Sequence, residues 1–276
     1  MNLIKIFLFF LILFPATLLT ASQNDSINRK LFFYKLTYQP DSTNNQKSQE
    51  NFLLQVTGTR SLFTDMVNRK ADSMEVAIRE YQQKYRPSIY SFKGVPKARF
   101  TYYIEKDLAK KELSVFDKIG TKHFKITDNQ HLAWKLHNQR RNIQGFNCQK
   151  ATITLYGREW IAWFTNEIPI SDGPFKFHSL PGLIIEISDT KGYYSFQLIK
   201  HSVANNLLYQ IQVPGYRTKK IISTDKVSFY TGKNSYEAST VDRLKNSIVG
   251  ESLTQERIMQ IRDRIKRNNN PLEKKP

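Results

Sequence analysis

The chain of 276 residues has a single cysteine, Cys148, so no internal disulfide can form. A chain of this length must then be held by an ordinary hydrophobic core. It is also short of acid: 24 Asp plus Glu stand against 42 Lys plus Arg, a net charge of +18. Glycine and proline are sparse, and no Pro/Gly/Ser-rich linker divides the middle of the chain, which favours one domain over two. The motifs that announce chemistry are missing too. His123, His131, His137, His178 and His201 show neither HxxxH nor HExxH spacing, and GxSxG, a phosphate loop and a dinucleotide fingerprint are absent. No metal, cofactor or catalytic residue is therefore expected.

One long apolar run is present, at the start. Lys5 is followed by an apolar block from Ile6 to Phe14, broken at Pro15, and by small residues at Ala21 and Ser22. The block is shorter than the roughly 20 residues that span a bilayer. Residues 1–22 thus read as a secretory signal cleaved near Ala21 or Ser22, with an uncleaved anchor as the alternative. A lipoprotein would need a cysteine just after the cleavage point, and the only one is Cys148. The expected product is a soluble, exported protein, periplasmic, associated with the outer membrane, or secreted. Loss of Lys5 with the leader leaves a charge of +17. Nucleic acid is not the expected partner, because no recognition helix, finger or stacking platform accompanies the charge. Lipid head groups and envelope glycans remain, beside solubility alone, since the cations are scattered.

Short strand patterns recur along the rest. They fall at Leu31–Tyr38, Phe52–Val56, Arg99–Glu105, Glu112–Phe116, His123–Thr127 and Leu132–Leu136. Further runs lie at Ala151–Tyr156, Glu159–Thr165, Leu183–Ser188, Tyr193–Lys200 and Leu207–Val213. Gly157 and Arg158 separate two of them, which predicts a type II′ hairpin with glycine first. Met74, Ile78, Tyr81 and Tyr85 lie at helical intervals before Pro87, predicting a helix over 65–85. A second helix begins near Ser252, capped through Gln255, with an apolar stripe of Ile258, Ile261 and Ile265 and with Arg257, Arg264, Lys266 and Arg267 opposite; the stripe is expected to dock on the sheet, a basic helix lying on a membrane being the alternative. The tail after it reads as disordered. About eleven strands without βαβ alternation make a mainly β (α+β) fold, a curved antiparallel sheet or half-barrel. The division expected is a leader over 1–22, one β-rich domain over 23–250, and a basic helix with tail over 251–276.

The densest information lies between Cys148 and Asp189. Gly157, Arg158, Trp160, Trp163, Glu167 and Pro169 are followed by Gly173, Pro174 and Phe177, then by Ser179, Leu180, Pro181, Gly182, Leu183 and Ile184. This string resembles the signature of the GLPGLI family, exported bacterial proteins of no established function. The stretch Gly145-Phe146-Asn147-Cys148-Gln149-Lys150-Ala151 is similar to the family's upstream element, and Tyr38-Gln39-Pro40-Asp41-Ser42 and Ser61-Leu62-Phe63 also fit its pattern. The resemblance implies a bowl-like or half-barrel fold similar to periplasmic lipoprotein carriers, and no catalytic residue. Ser179 departs from it, standing where the hexapeptide has its first glycine, which weighs against a role there that needs a positive φ or bare backbone.

In the Trp hairpin, Trp160, Ala162 and Phe164 alternate with Ile161 and Trp163, so both faces of that strand are apolar. Such a strand is either central, covered on both sides, or has one face lining a hollow. Under the second reading Trp134, Trp160, Trp163, Phe175, Phe177 and Leu180 would bind a lipid or another apolar envelope component. The loop that holds Phe175, Phe177 and Leu180 with Pro169, Pro174 and Pro181 would be a scaffold or a lid. An interaction module accessory to an outer-membrane protein is the alternative. An envelope hydrolase is a third, resting on Cys148 beside a histidine or on carboxylates such as Glu159, Glu167, Asp172 and Glu186.

Overall fold

The structure, a computed structural model, describes residues 29–87, 91–204, 220–247 and 254–273. The leader, the strand expected at Leu207–Val213 and the cap expected at Ser252 lie outside them. β1 (Arg29–Tyr38), β2 (Ser48–Thr57) and β3 (Arg60–Asp65) lead into α1 (Met66–Tyr85), and β4 (Tyr103–Asp107), β5 (Glu112–Ile119) and β6 (Lys122–Thr127) complete a first meander. A second meander runs through β7 (Lys135–Ile143), β8 (Phe146–Leu155), β9 (Arg158–Thr165), β10 (Leu183–Asp189) and β11 (Tyr194–Ala204). Then come β12 (Ile221–Thr224), α2 (Lys226–Ala238), α3 (Thr240–Ser247) and α4 (Gln255–Lys266).

The twelve strands of the described residues form one sheet, in the order β12-β6-β5-β4-β3-β2-β1-β11-β10-β9-β8-β7. β1 joins the meanders, pairing β2 on one side and β11 on the other. Every pairing is antiparallel except β12 with β6. The mainly β curved sheet with helices over 66–85 and 255–266 is therefore what the sequence pattern predicts.

Curvature follows from reach. β4 and β9 are six strands apart in the sheet order, so in a flat sheet they would be roughly 29 Å apart at ~4.8 Å per strand. Yet Lys106 of β4 donates to the carbonyls of Gly173, Phe175 and Phe177, while the Trp160 ring of β9 lies 4.8 Å from that of Phe177. Both strands touch one short loop, so the sheet curls around it. Phe52, Phe63 and Phe196 stack behind the loop on the same inner face, in one continuous core.

Several elements differ from the sequence expectation. β3, β12, α2 and α3 are additional, and β7 begins three residues later than the run at Leu132. The β8–β9 turn consists of Tyr156 and Gly157 with φ of 53° and 73°. Two positive φ values make it type I′, with glycine second, because Leu155 pairs with Arg158 across it. The cap of α4 is Thr254, and Ile258 and Ile261 pack on Val241 and Leu244 of α3, not on the sheet, with Ile265 exposed. The segment expected to be disordered docks as far as Glu273: Leu272 enters the main core.

Candidate functional site

The loop between β9 and β10, residues 166–182, is pinned by one lysine. Lys106 is 1 % exposed and also pairs with Asp172, which is fully buried. Burial pushes the Lys106 amine below its ordinary range, and the Asp172 carboxylate opposes that shift. The pinned loop turns Phe175, Phe177 and Leu180 inward, where they meet Trp160. Trp134 closes the same cluster, its indole N–H donating to the His178 carbonyl at 2.8 Å. His178 is half-buried, and burial, with Lys106 nearby, lowers its imidazole to about 4.

Of the six residues expected to bind an apolar ligand, the structure thus brings five together. Trp160, Phe175, Phe177 and Leu180 are each no more than 3 % exposed, and they fill the inside of the curl with their own side chains. Trp163 is on the other face of β9, half-buried under the Arg141 guanidinium at 4.3 Å. The motif residues around them make contacts within the fold. Gly182 lets β9 pass, since a Cβ there would fall 1.9 Å from the Thr165 carbonyl oxygen, and Gly173 sits against Ile184. Glu167 accepts the Asn147 N–H at 2.7 Å. Arg158 is buried against Asp189 at 2.8 Å. Ser179 does have a positive φ, 70°, contrary to the expectation from its side chain. Cys148 is fully buried in β8, and burial raises its thiol to about 11, so it is a poor nucleophile.

A different place has the geometry of a binding site. On the outer side of the sheet, Tyr103, Leu62 and Phe116 form a second, small cluster packed by Ile221 of β12. Beside it a cleft of about 730 Å³ opens between α1, the β5–β6 turn and β12. From α1 come Asn68, Asp72, Glu75 and Arg79, spaced so that all four share one helix face. From the turn come Lys118, Lys122 and His123; Lys220, Tyr103 and Ile222 complete the wall. Asp65 caps α1, its Oδ1 accepting the Val67 and Asn68 N–H groups, and so sets the rotation of that face. Within the cleft Asp72 accepts the Tyr103 hydroxyl, and Glu75 pairs with Arg79 at 3.8 Å. With both acids partnered, the lysines of the turn and of 220 give the cleft its positive sign. None of the six residues expected to bind a ligand lines it. The α1 spacing was a visible signal, but its coincidence with a hairpin turn about fifty residues later was not.

The segment that shapes the interior is also the one that other proteins share. Residues 156–186 match the family model described as Protein of unknown function (Porph_ging). The match runs from the β8–β9 turn through the pinned loop into β10. No curated protein matches the chain. Among solved structures, the chain is similar to PNGF-II in its C2 crystal form, with a TM-score of 0.53 and 13% identity, covering 76% of this chain and 33% of that one. The P21 form of PNGF-II gives 0.52 and 13%, over 76% of this chain and 34% of that one. The chain therefore spans about a third of the length of these structures, and the likeness is one of fold.

Proposed function

We propose that this is an exported, non-enzymatic envelope protein of the GLPGLI type, the Porph_ging match and the GLPGLI-like string marking one and the same signature. In this reading it binds the anionic head group of an amphipathic envelope lipid in the cleft between α1, the β5–β6 turn and β12. The observation that carries it is the cleft lining: Lys118, Lys122 and Lys220 line it together with an aromatic and an aliphatic side chain, Tyr103 and Ile222. Cations bind the phosphate, and the apolar wall takes the first carbons of the chain. The interior of the curl supports this placement by being filled already. Acid-base chemistry has less support, because Asp72 and Glu75 are engaged with Tyr103 and Arg79.

The test is a titration with a soluble short-chain phosphatidylglycerol, with the matching phosphatidylcholine as control. Saturable binding to the first, weakened at least tenfold by Lys118→Glu/Lys122→Glu and little changed by Lys110→Glu/Lys111→Glu, is expected. The second pair removes the same charge from an exposed turn outside the cleft. Equal losses from both pairs would reduce the effect to net charge and overturn the assignment.

A further inference from the structure

The segment 268–273, Asn-Asn-Asn-Pro-Leu-Glu, lies in a groove that reads it almost residue by residue. The Asn270 side chain is satisfied at both ends, Nδ2 donating to the Gln39 carbonyl at 2.7 Å and Oδ1 accepting from Arg158 at 2.6 Å. Its backbone N–H donates to the Pro40 carbonyl and its carbonyl accepts the Tyr194 hydroxyl at 2.5 Å. Arg158 also donates to the carbonyls of Pro271 and Leu272. The Leu272 side chain is in the core, and the Glu273 carboxylate is held by Lys176 at 2.5 Å and Lys226 at 3.3 Å.

Two features separate this from ordinary closure of a fold. The groove is built without the segment: Arg158 is held by Asp189, which also accepts the N–H groups of Tyr193 and Tyr194, and Lys176 is held by Asp128, itself bonded by Tyr156. Burial pushes the Asp128 carboxyl up, but Lys176 and Lys226 outweigh it and hold it below its usual range. Recognition also rests on buried charge and amide groups. These are costly to desolvate and weak as a source of stability, but they discriminate between sequences. Helix α4, which leads into the segment, packs through the satellite cluster of Val241, Leu244, Ile258 and Ile261, apart from the main core.

We propose that this groove is a recognition site for an extended Asn-Pro-apolar-acidic segment of a partner polypeptide, for which residues 270–273 are the intramolecular competitor. The site is independent of the cleft. Arg158 reads the asparagine and two carbonyls, the core takes the apolar side chain, and Lys176 with Lys226 takes the carboxylate. Proline at the second position removes an N–H that the groove would otherwise have to satisfy. A tethered competitor acts at an effective concentration in the millimolar range, so it suppresses binding in trans until it is weakened.

The experiment uses the full chain and a fluorescent Asn-Asn-Asn-Pro-Leu-Glu peptide. Asn270→Ala/Glu273→Lys should bind the peptide saturably, at least tenfold more tightly than the unsubstituted chain. A peptide ending in Lys, or with Ala for its third Asn, should lose at least tenfold on the same protein. If the double variant does not fold, Glu273→Gln, which keeps the shape and removes only the charge, makes the same comparison. A folded variant that binds no peptide, or binds all three alike, overturns the proposal.

Discussion

At single positions the fold asks for backbone that side chains resist. Ser179 holds φ at 70° without being glycine, a conformation costing of order 1 kcal/mol. Ser179→Gly should therefore raise stability by roughly 0.5–1 kcal/mol in urea unfolding, and no gain would show that the strain is not there. Gly182 is the converse case. Its φ is ordinary, but a Cβ would strike the Thr165 carbonyl, so Gly182→Ala should cost about 4 kcal/mol or more. Asp65 is strained electrostatically. Burial, the largest influence, raises its carboxyl to about 6, with a smaller push from Glu50, against the pull of the Asn68 and Val67 N–H bonds. Its Oδ2 has no hydrogen-bond partner among the described residues. Because the folded value exceeds the ordinary 3.8, the contribution to stability is full below about pH 4 and is lost as pH rises through 6. A rise from 3.8 to about 6 corresponds to about 3 kcal/mol. Asp65→Asn keeps an acceptor for the cap, so it should gain up to about 2 kcal/mol at pH 7.5 and flatten the pH 4–7 slope. An unchanged slope in unfolding at pH 4.5 and 7.5 would contradict this.

Between elements, the decisive contact is Lys106 with the loop after β9. Replacing the lysine leaves Asp172 buried without a counter-charge, so Lys106→Met should cost about 3–5 kcal/mol. Lys106→Met/Asp172→Asn should recover more than about 1 kcal/mol of that, because the uncompensated charge is gone; additive losses would show that the pair is not coupled. Which elements could be read in advance depends on where their information lies. β1, β2, β5, β6 and β9 to β11 have alternating or continuous apolar residues and were legible, as was α1. β7 was misplaced because Lys-Leu-His-Asn-Gln-Arg-Arg-Asn-Ile at a sheet edge has almost no buried side chain to set a period. β12, Ile-Ile-Ser-Thr, is too short to show one. α2 buries only Phe229 and contains a glycine, so its amphipathic pattern is faint. The inward aromatics of the β9–β10 loop were visible as residues, but whether they line a space or fill it depends on Lys106, sixty-six residues before Asp172.

For the molecule as a whole, the sheet of twelve described strands curls around a plug made from its own chain, with the matched segment 156–186 supplying plug, turn and flanking strands. Arg158 and Lys176 in that segment then hold the chain's last described residues. Neither arrangement could be read from pattern, because each joins residues far apart in sequence. The polar cleft is outside the curl, beside α1 and the β5–β6 turn, so the proposed function separates a filled interior from a binding exterior. Hydrogen exchange with and without short-chain phosphatidylglycerol tests that separation most directly. Binding in the cleft protects amides of α1 and of residues 118–123 while leaving 173–180 unchanged; protection of 173–180 instead, with none at 118–123, would put the ligand inside the curl and contradict the account.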